Sequence, residues 1–99
     1  MPDLLSKYPR HNPDAAGRIL DGEATVVTPE DSMMHTLNAV GTWIWDHADG
    51  AKSVAELADA LQEAFEVDAE TARADTEAFV RELEGLGILV LDEAPAGGG

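Results

Sequence analysis

The chain predicts an α+β domain in which short strands come first and three helices follow. Three observations carry this. An Asp21-Gly22 pair sits between two apolar runs, a helix start at Asn38 leads into Val40, Trp43, Ile44 and Trp45, and two further helical periodicities meet at Glu66-Val67. Strands ahead of helices, without alternation, mark α+β rather than a parallel sheet.

Asp-Gly as a two-residue loop is the strongest short hairpin signal, because a type I′ turn needs positive φ at both positions. Arg18-Ile19-Leu20 and Glu23–Thr28 are its arms, and Thr25, Val26, Val27 and Thr28 give the second arm the β-branched content of a strand. Thr28-Pro29-Glu30-Asp31 suits a turn with proline in second place. Met33, Met34, His35, Thr36 and Leu37 follow as a third short strand, so residues 17–37 predict a three-stranded antiparallel meander. Residues 1–16 are polar, carry Pro2, Pro9 and Pro13, and read as an irregular, flexible arm.

Asn38 is a good N-cap for a first helix over residues 39–48, closed by Asp49-Gly50. Its apolar density requires burial. Gly41, about 1 kcal/mol worse than alanine inside a helix, marks close approach by a neighbouring element. Trp43 and Trp45 stand about 200° apart on a helix and cannot share a face, so one is core and the other lies at a rim or contact surface. Ser53 and Glu56 form a capping box for the second helix, whose stripe is Val54, Leu57, Ala58, Leu61 and Phe65. Asp68 caps a third helix over residues 69–86, with Ala72, Phe79, Val80, Leu83 and Leu86 inward. Gly87 is placed for a left-handed stop, from which Ile88 reaches back to Leu83. Ile44, Trp45, Leu57, Leu61, Phe79 and Leu83 are the expected core. Residues 88–91 form an apolar tail that must pack somewhere, and residues 92–99 read as a disordered end. A helix-turn-helix attached to a small sheet is the winged helix-turn-helix arrangement in outline.

At 99 residues the chain makes one domain, taken as residues 17–91 between arm and tail. It has no cysteine, which removes disulfides, thiolate zinc sites, iron–sulfur clusters and cysteine nucleophiles together. No apolar run approaches the ~20 residues of a membrane span, and the first ten residues lack a signal-peptide core. The expectation is a soluble cytoplasmic protein. The net charge is −14 and uneven: residues 1–20 carry +1, residues 21–99 carry −15. Nucleic-acid binding needs cations to neutralise phosphates, and this body would repel them. The acidity reads either as solubility or as steering of a basic partner.

Catalytic patterns are missing. His11, His35 and His47 offer no i,i+3 or i,i+4 pair for a metal. The glycines form no phosphate loop, and Ser53 is already spent as a cap. No cofactor, metal or catalytic residue is expected. The third strand poses a physical problem instead. The last strand of a meander is an edge, and edges are protected by charge, proline, bulges or a covering element. Residues 33–37 carry no proline and no fixed charge, and methionine adapts to varied partners. Either residues 88–91 cover this edge, or it is merely short, or it takes up an extended peptide by strand addition.

Together several segments resemble the PqqD-like family. They are Gly17-Arg18-Ile19-Leu20-Asp21-Gly22-Glu23-Ala24, the Leu37-Asn38-x-x-Gly41-x-x-Ile44-Trp45 core, Asp49-Gly50 and Ser53-Val54-Ala55-Glu56-Leu57. The Asp75-x-x-x-Phe79-Val80-x-x-Leu83 helix and the Leu86-Gly87-Ile88-Leu89 ending complete them. The resemblance covers about residues 17–90. It implies three strands followed by three helices, and a peptide-recognition role in pathways that modify ribosomally made peptides. Such proteins bind the leader of a precursor peptide beside the third strand, in a groove walled by the third helix. They present it to a modifying enzyme, often a radical SAM protein, so any chemistry belongs to that partner. With such a groove, the wall is expected from the third-helix face next to its core stripe: Arg73, Thr76, Glu77 and Val80. Met34 and Val80 would take apolar leader side chains, and Arg73 and Glu77 would read charge. The expected peptide site is therefore Met33, Met34, His35, Thr36, Leu37, Arg73, Thr76, Glu77 and Val80, on a monomer or weak dimer. The alternatives are a winged-helix transcription regulator and a structural or oligomerising subunit using the same edge.

Overall fold

Asp21 and Gly22 adopt φ of 53° and 81°, the left-handed pair a type I′ turn requires, and reverse the chain between two strands. The computed structural model describes residues 4–29 and 32–95. Its elements are β1 (Tyr8–His11), β2 (Ala16–Leu20), β3 (Glu23–Thr28), β4 (Met33–Thr36), α1 (Ala39–His47), α2 (Val54–Phe65), α3 (Ala69–Gly85) and β5 (Leu89–Asp92). β2, β3 and β4 form the expected antiparallel meander, with Gly17 opposite Val26 and Val26 opposite His35. The turn expected at residues 28–31 lies partly outside the described residues.

One face of the meander packs inward. Ala24, Val26 and Thr28 on β3 are buried, and Ala24 and Val26 join Leu37, Trp45, Ala48, Leu83, Ile88 and Leu89 in one core cluster. The Thr42 hydroxyl ties α1 to the sheet, accepting from the Ala24 N–H at 2.9 Å and donating to the Leu37 carbonyl at 3.1 Å. A second cluster, Ile44, Val54 and Val80, joins the three helices, with Trp43 and Phe79 half-buried against it. Trp45 is therefore the core tryptophan. Trp43 sits at the helix–helix seam, stacked on His47 at 4.1 Å and edge-on to Phe65 at 6.3 Å.

The caps follow the sequence. Asn38 accepts from the Gly41 N–H at 2.8 Å, Ser53 and Glu56 close a reciprocal capping box, and Asp68 accepts from the Thr71 N–H at 2.7 Å. α3 ends in a Schellman stop: Gly87 has φ 81°, and the Ile88 N–H donates to the Leu83 carbonyl at 2.9 Å.

Both ends of the chain depart from expectation. Within the stretch read as a flexible arm, Leu4–Ser6 forms a 3₁₀ turn and Tyr8–His11 forms β1, antiparallel to β5. Pro9 is compatible with this strand because its carbonyl accepts from the Gly50 N–H at 2.9 Å. The nitrogen and carbonyl of one strand residue point to the same side, so the missing N–H lies away from β5 and no ladder bond is lost. Lys7 likewise accepts from the Val54 N–H at 2.9 Å, which ties the segment to the start of α2. The C-terminal stretch is used up to residue 92, since Asp92 ends β5 and accepts from Arg10 Nε at 2.6 Å. Residues 1–3 and 96–99 lie outside the described residues.

Candidate functional site

β5 is spent on β1, so residues 88–91 do not cover β4, and the order β2-β3-β4 leaves β4 as an outer strand among the described residues. The Leu37 N–H donates inward to the Ala24 carbonyl at 2.8 Å. Strand alternation then directs residues 33, 35 and 37 toward β3, and turns the N–H and C=O of Met34 and Thr36 outward along the edge.

Beside this edge lies a groove of about 500 Å³. The strand side is Met34, His35, Thr36, Leu37 and Asn38, and the helix side is Phe79, Glu82, Leu83 and Leu86 of α3 and its cap. Gly41 lies against one wall residue. A β-carbon there would lie 3.1 Å from Phe79 Cε1, so the missing side chain lets the Phe79 ring lean on α1 and stay half-buried at the groove wall. Leu37 anchors the strand end at 7% exposure, while Met34 is 67% exposed and free to adapt. His35 is half-buried on the inner side, its Nε2 3.5 Å from the Thr28 hydroxyl.

The strand residues of the expected site, Met34, His35, Thr36 and Leu37, are brought together in this groove; Met33 begins the same strand and is exposed. The expected helix residues are placed elsewhere. Thr76 and Val80 are fully buried, part of the inward stripe Ala72, Thr76, Val80 and Leu83. Arg73 and Glu77 fall on the opposite flank of that stripe from Phe79, Glu82 and Leu86, at about 100° of rotation per residue. An apolar stripe has two flanks, and the spacing of apolar residues does not say which one meets the sheet. Phe79 and Leu86, expected inside, instead line the groove, with Leu86 38% exposed. Glu82 had no sequence signal beyond its place between them at helical spacing.

The outer face of the same sheet carries a shallow depression of about 420 Å³, with Leu20, Val27 and Met34 around Arg18. No helix of the described residues is long and apolar enough to cross a membrane.

The family model for Coenzyme PQQ synthesis protein D (PqqD) matches residues 23–89. No curated protein matches the chain in sequence. Among solved structures, TbiB1 in complex with the TbiA(beta) leader peptide is similar with a TM-score of 0.73 and 25% identity, over 81% of this chain and 93% of that one. Lasso peptide synthetase B1 complexed with the leader peptide shares the fold with a TM-score of 0.73 and 22% identity, over 84% of this chain and 98% of that one. A family match that runs from the start of β3 through all three helices to the first residue of β5 spans both walls of the groove, and the chain belongs to the PqqD family.

Proposed function

We propose that the protein is a non-catalytic chaperone that binds the leader of a ribosomally made precursor peptide and presents it to a modifying enzyme. The observation that carries this is the open β4 edge, with the backbone of Met34 and Thr36 turned outward above a groove floored by Leu37 and walled by Phe79 and Leu86. An extended peptide can pair with that edge in alternation while its side chains enter the groove. The likeness to TbiB1, whose structure holds a leader peptide, supports the same role here. Chemistry belongs to the partner enzyme, for which a radical SAM protein is the proposed class, and the chain lacks the cysteines to hold an iron–sulfur cluster itself. A DNA-reading role is disfavoured by charge, since α3 carries Glu70, Asp75, Glu77, Glu82 and Glu84 against Arg73 and Arg81.

The test is an NMR titration of ¹⁵N-labelled protein with the leader segment of any short precursor found encoded near its gene. Shifts should concentrate at residues 34–38 and at Phe79, Glu82 and Leu86. Shifts confined to β1, β5 or α2 would overturn the proposal.

A further inference from the structure

The groove's helix wall alternates in character. Asp75, Phe79, Glu82 and Leu86 follow one another at spacings of four, three and four, so they form one row along α3, acidic then apolar, twice over. Phe79, Glu82 and Leu86 line the groove itself. Of the residues that line it, His35 alone can carry positive charge, and Arg73 and Arg81 stand on other faces of the helix. The exposed Glu82 carboxylate thus stands between two apolar surfaces beside the strand that is outermost among the described residues, with no lysine or arginine among the lining residues to neutralise it.

From this we infer that the peptide segment added to β4 is basic as well as apolar. It carries a bulky apolar side chain that packs on Leu86 and a lysine or arginine two residues away that reaches Glu82. The inference rests on the peptide-binding reading above and specifies its ligand. The spacing fits. Glu82 and Leu86 are about 6 Å apart along the helix axis, and alternate side chains on one face of an extended peptide are about 6.7 Å apart. A peptide that pairs with β4 and runs along α3 would send residues i and i+2 to the same wall, one to Leu86 and the other to Glu82. The charge of −15 on residues 21–99 acts in the same direction at longer range, raising the encounter rate with a cationic segment. An acidic leader would have to place its carboxylates against Glu82, which penalises it.

The probe is a random ten-residue peptide library displayed on phage and selected on the intact protein. The best enriched peptide is then measured by fluorescence anisotropy against wild type and Glu82→Gln, and the selection is repeated on Glu82→Lys. Enriched peptides should pair an aromatic or leucine with Lys or Arg at i±2 and shift the amides of residues 34–38. Glu82→Gln should weaken the peptide about fivefold, the size of one partly exposed ion pair, and Glu82→Lys should turn the selected charge acidic. Peptides that shift the β4 amides but are neutral or acidic, or that bind Glu82→Gln as tightly as wild type, overturn the charge inference and leave peptide binding standing. If no peptide is retained, or retained peptides shift only the outer sheet face or α2, the peptide-binding reading itself fails and this inference with it.

Discussion

Replacing Gly17 with alanine tests the packing that holds β2 on the core. A β-carbon there would lie 2.8 Å from Trp45 Cζ2, 2.9 Å from Val26 Cγ2 and 3.3 Å from the Thr25 carbonyl. Carbon pairs are comfortable at about 3.5–4.0 Å, so Trp45 and Val26 must each retreat by more than half an ångström. Neither has room. Trp45 is 8% exposed and its indole is stacked on His11 at 4.3 Å with an interplanar angle of 6°; Val26, on the central strand, is 1% exposed. Such overpacking costs about 1–3 kcal/mol. The opposing gain, a less flexible unfolded chain, is about 0.4–1 kcal/mol, so the clash wins by about 1–2 kcal/mol. In a domain of this size that lowers Tm by roughly 4–16 °C. Thermal denaturation followed by circular dichroism reads it directly. The paired variant Gly17→Ala/Val26→Ala should be more stable than the two single effects added, because the smaller residue accepts the new methyl. A Gly17→Ala protein that melts at or above wild type would refute the close approach of Trp45 to β2.

Thr36→Pro should leave the far-ultraviolet spectrum and Tm close to wild type yet weaken leader binding at least tenfold, since it removes a donor that faces the open edge; loss of the fold would show that the Thr36 N–H points inward. Thr76→Val should raise stability by about 1 kcal/mol, because the Thr76 hydroxyl is fully buried and has no partner among the described residues; an unchanged or lower urea midpoint would contradict this. The Thr71 hydrogen bonds hold the Asp68 carboxyl below its ordinary 3.8, so its contribution is complete above that value and lost as pH falls through the lower folded value. Asp68→Asn should therefore flatten the acid limb of the stability curve below pH 3.8, and an identical limb in both proteins would contradict the assignment.

Most of the fold was legible because its signals are local. Asp21-Gly22, Asn38, Ser53 with Glu56, Asp68 and Gly87 each act through the backbone of their own neighbours, and all appear where the chain places them. β1 was not legible for the opposite reason. Its strand is made by residues about eighty positions away, and Pro9 argues against a strand unless one knows that its carbonyl faces Gly50. The site was half legible. An uncharged last strand announces an edge without structural knowledge. The helix wall depends on how α3 rolls about its axis, and that is fixed by Thr76 and Val80 packing inward and by Phe79 leaning on Gly41. Thr76 misled because a threonine in a charged helix reads as surface.

β4, outermost among the described residues, invites a second copy of the chain, and the charge beside it is expected to oppose one. The strand offers the outward backbone of Met34 and Thr36, and its methionines are more than half exposed, so neither proline nor charge on the strand blocks self-pairing. Protection comes from beside the strand. Edge-to-edge pairing of two copies would bring the Glu82 carboxylates beside the joined edges and join two bodies of net charge −14. Screening is therefore the lever. The Debye length falls from about 8 Å at physiological salt to about 3 Å at 1 M. The chain should be monomeric at low salt and gain dimer as salt rises, with Glu82→Gln shifting the onset to lower salt and saturating leader peptide abolishing the dimer. Sedimentation velocity across a salt series measures it. A dimer that weakens as salt rises, or one that persists with peptide bound, would show that copies meet through another surface and that the acidic wall does not guard this edge.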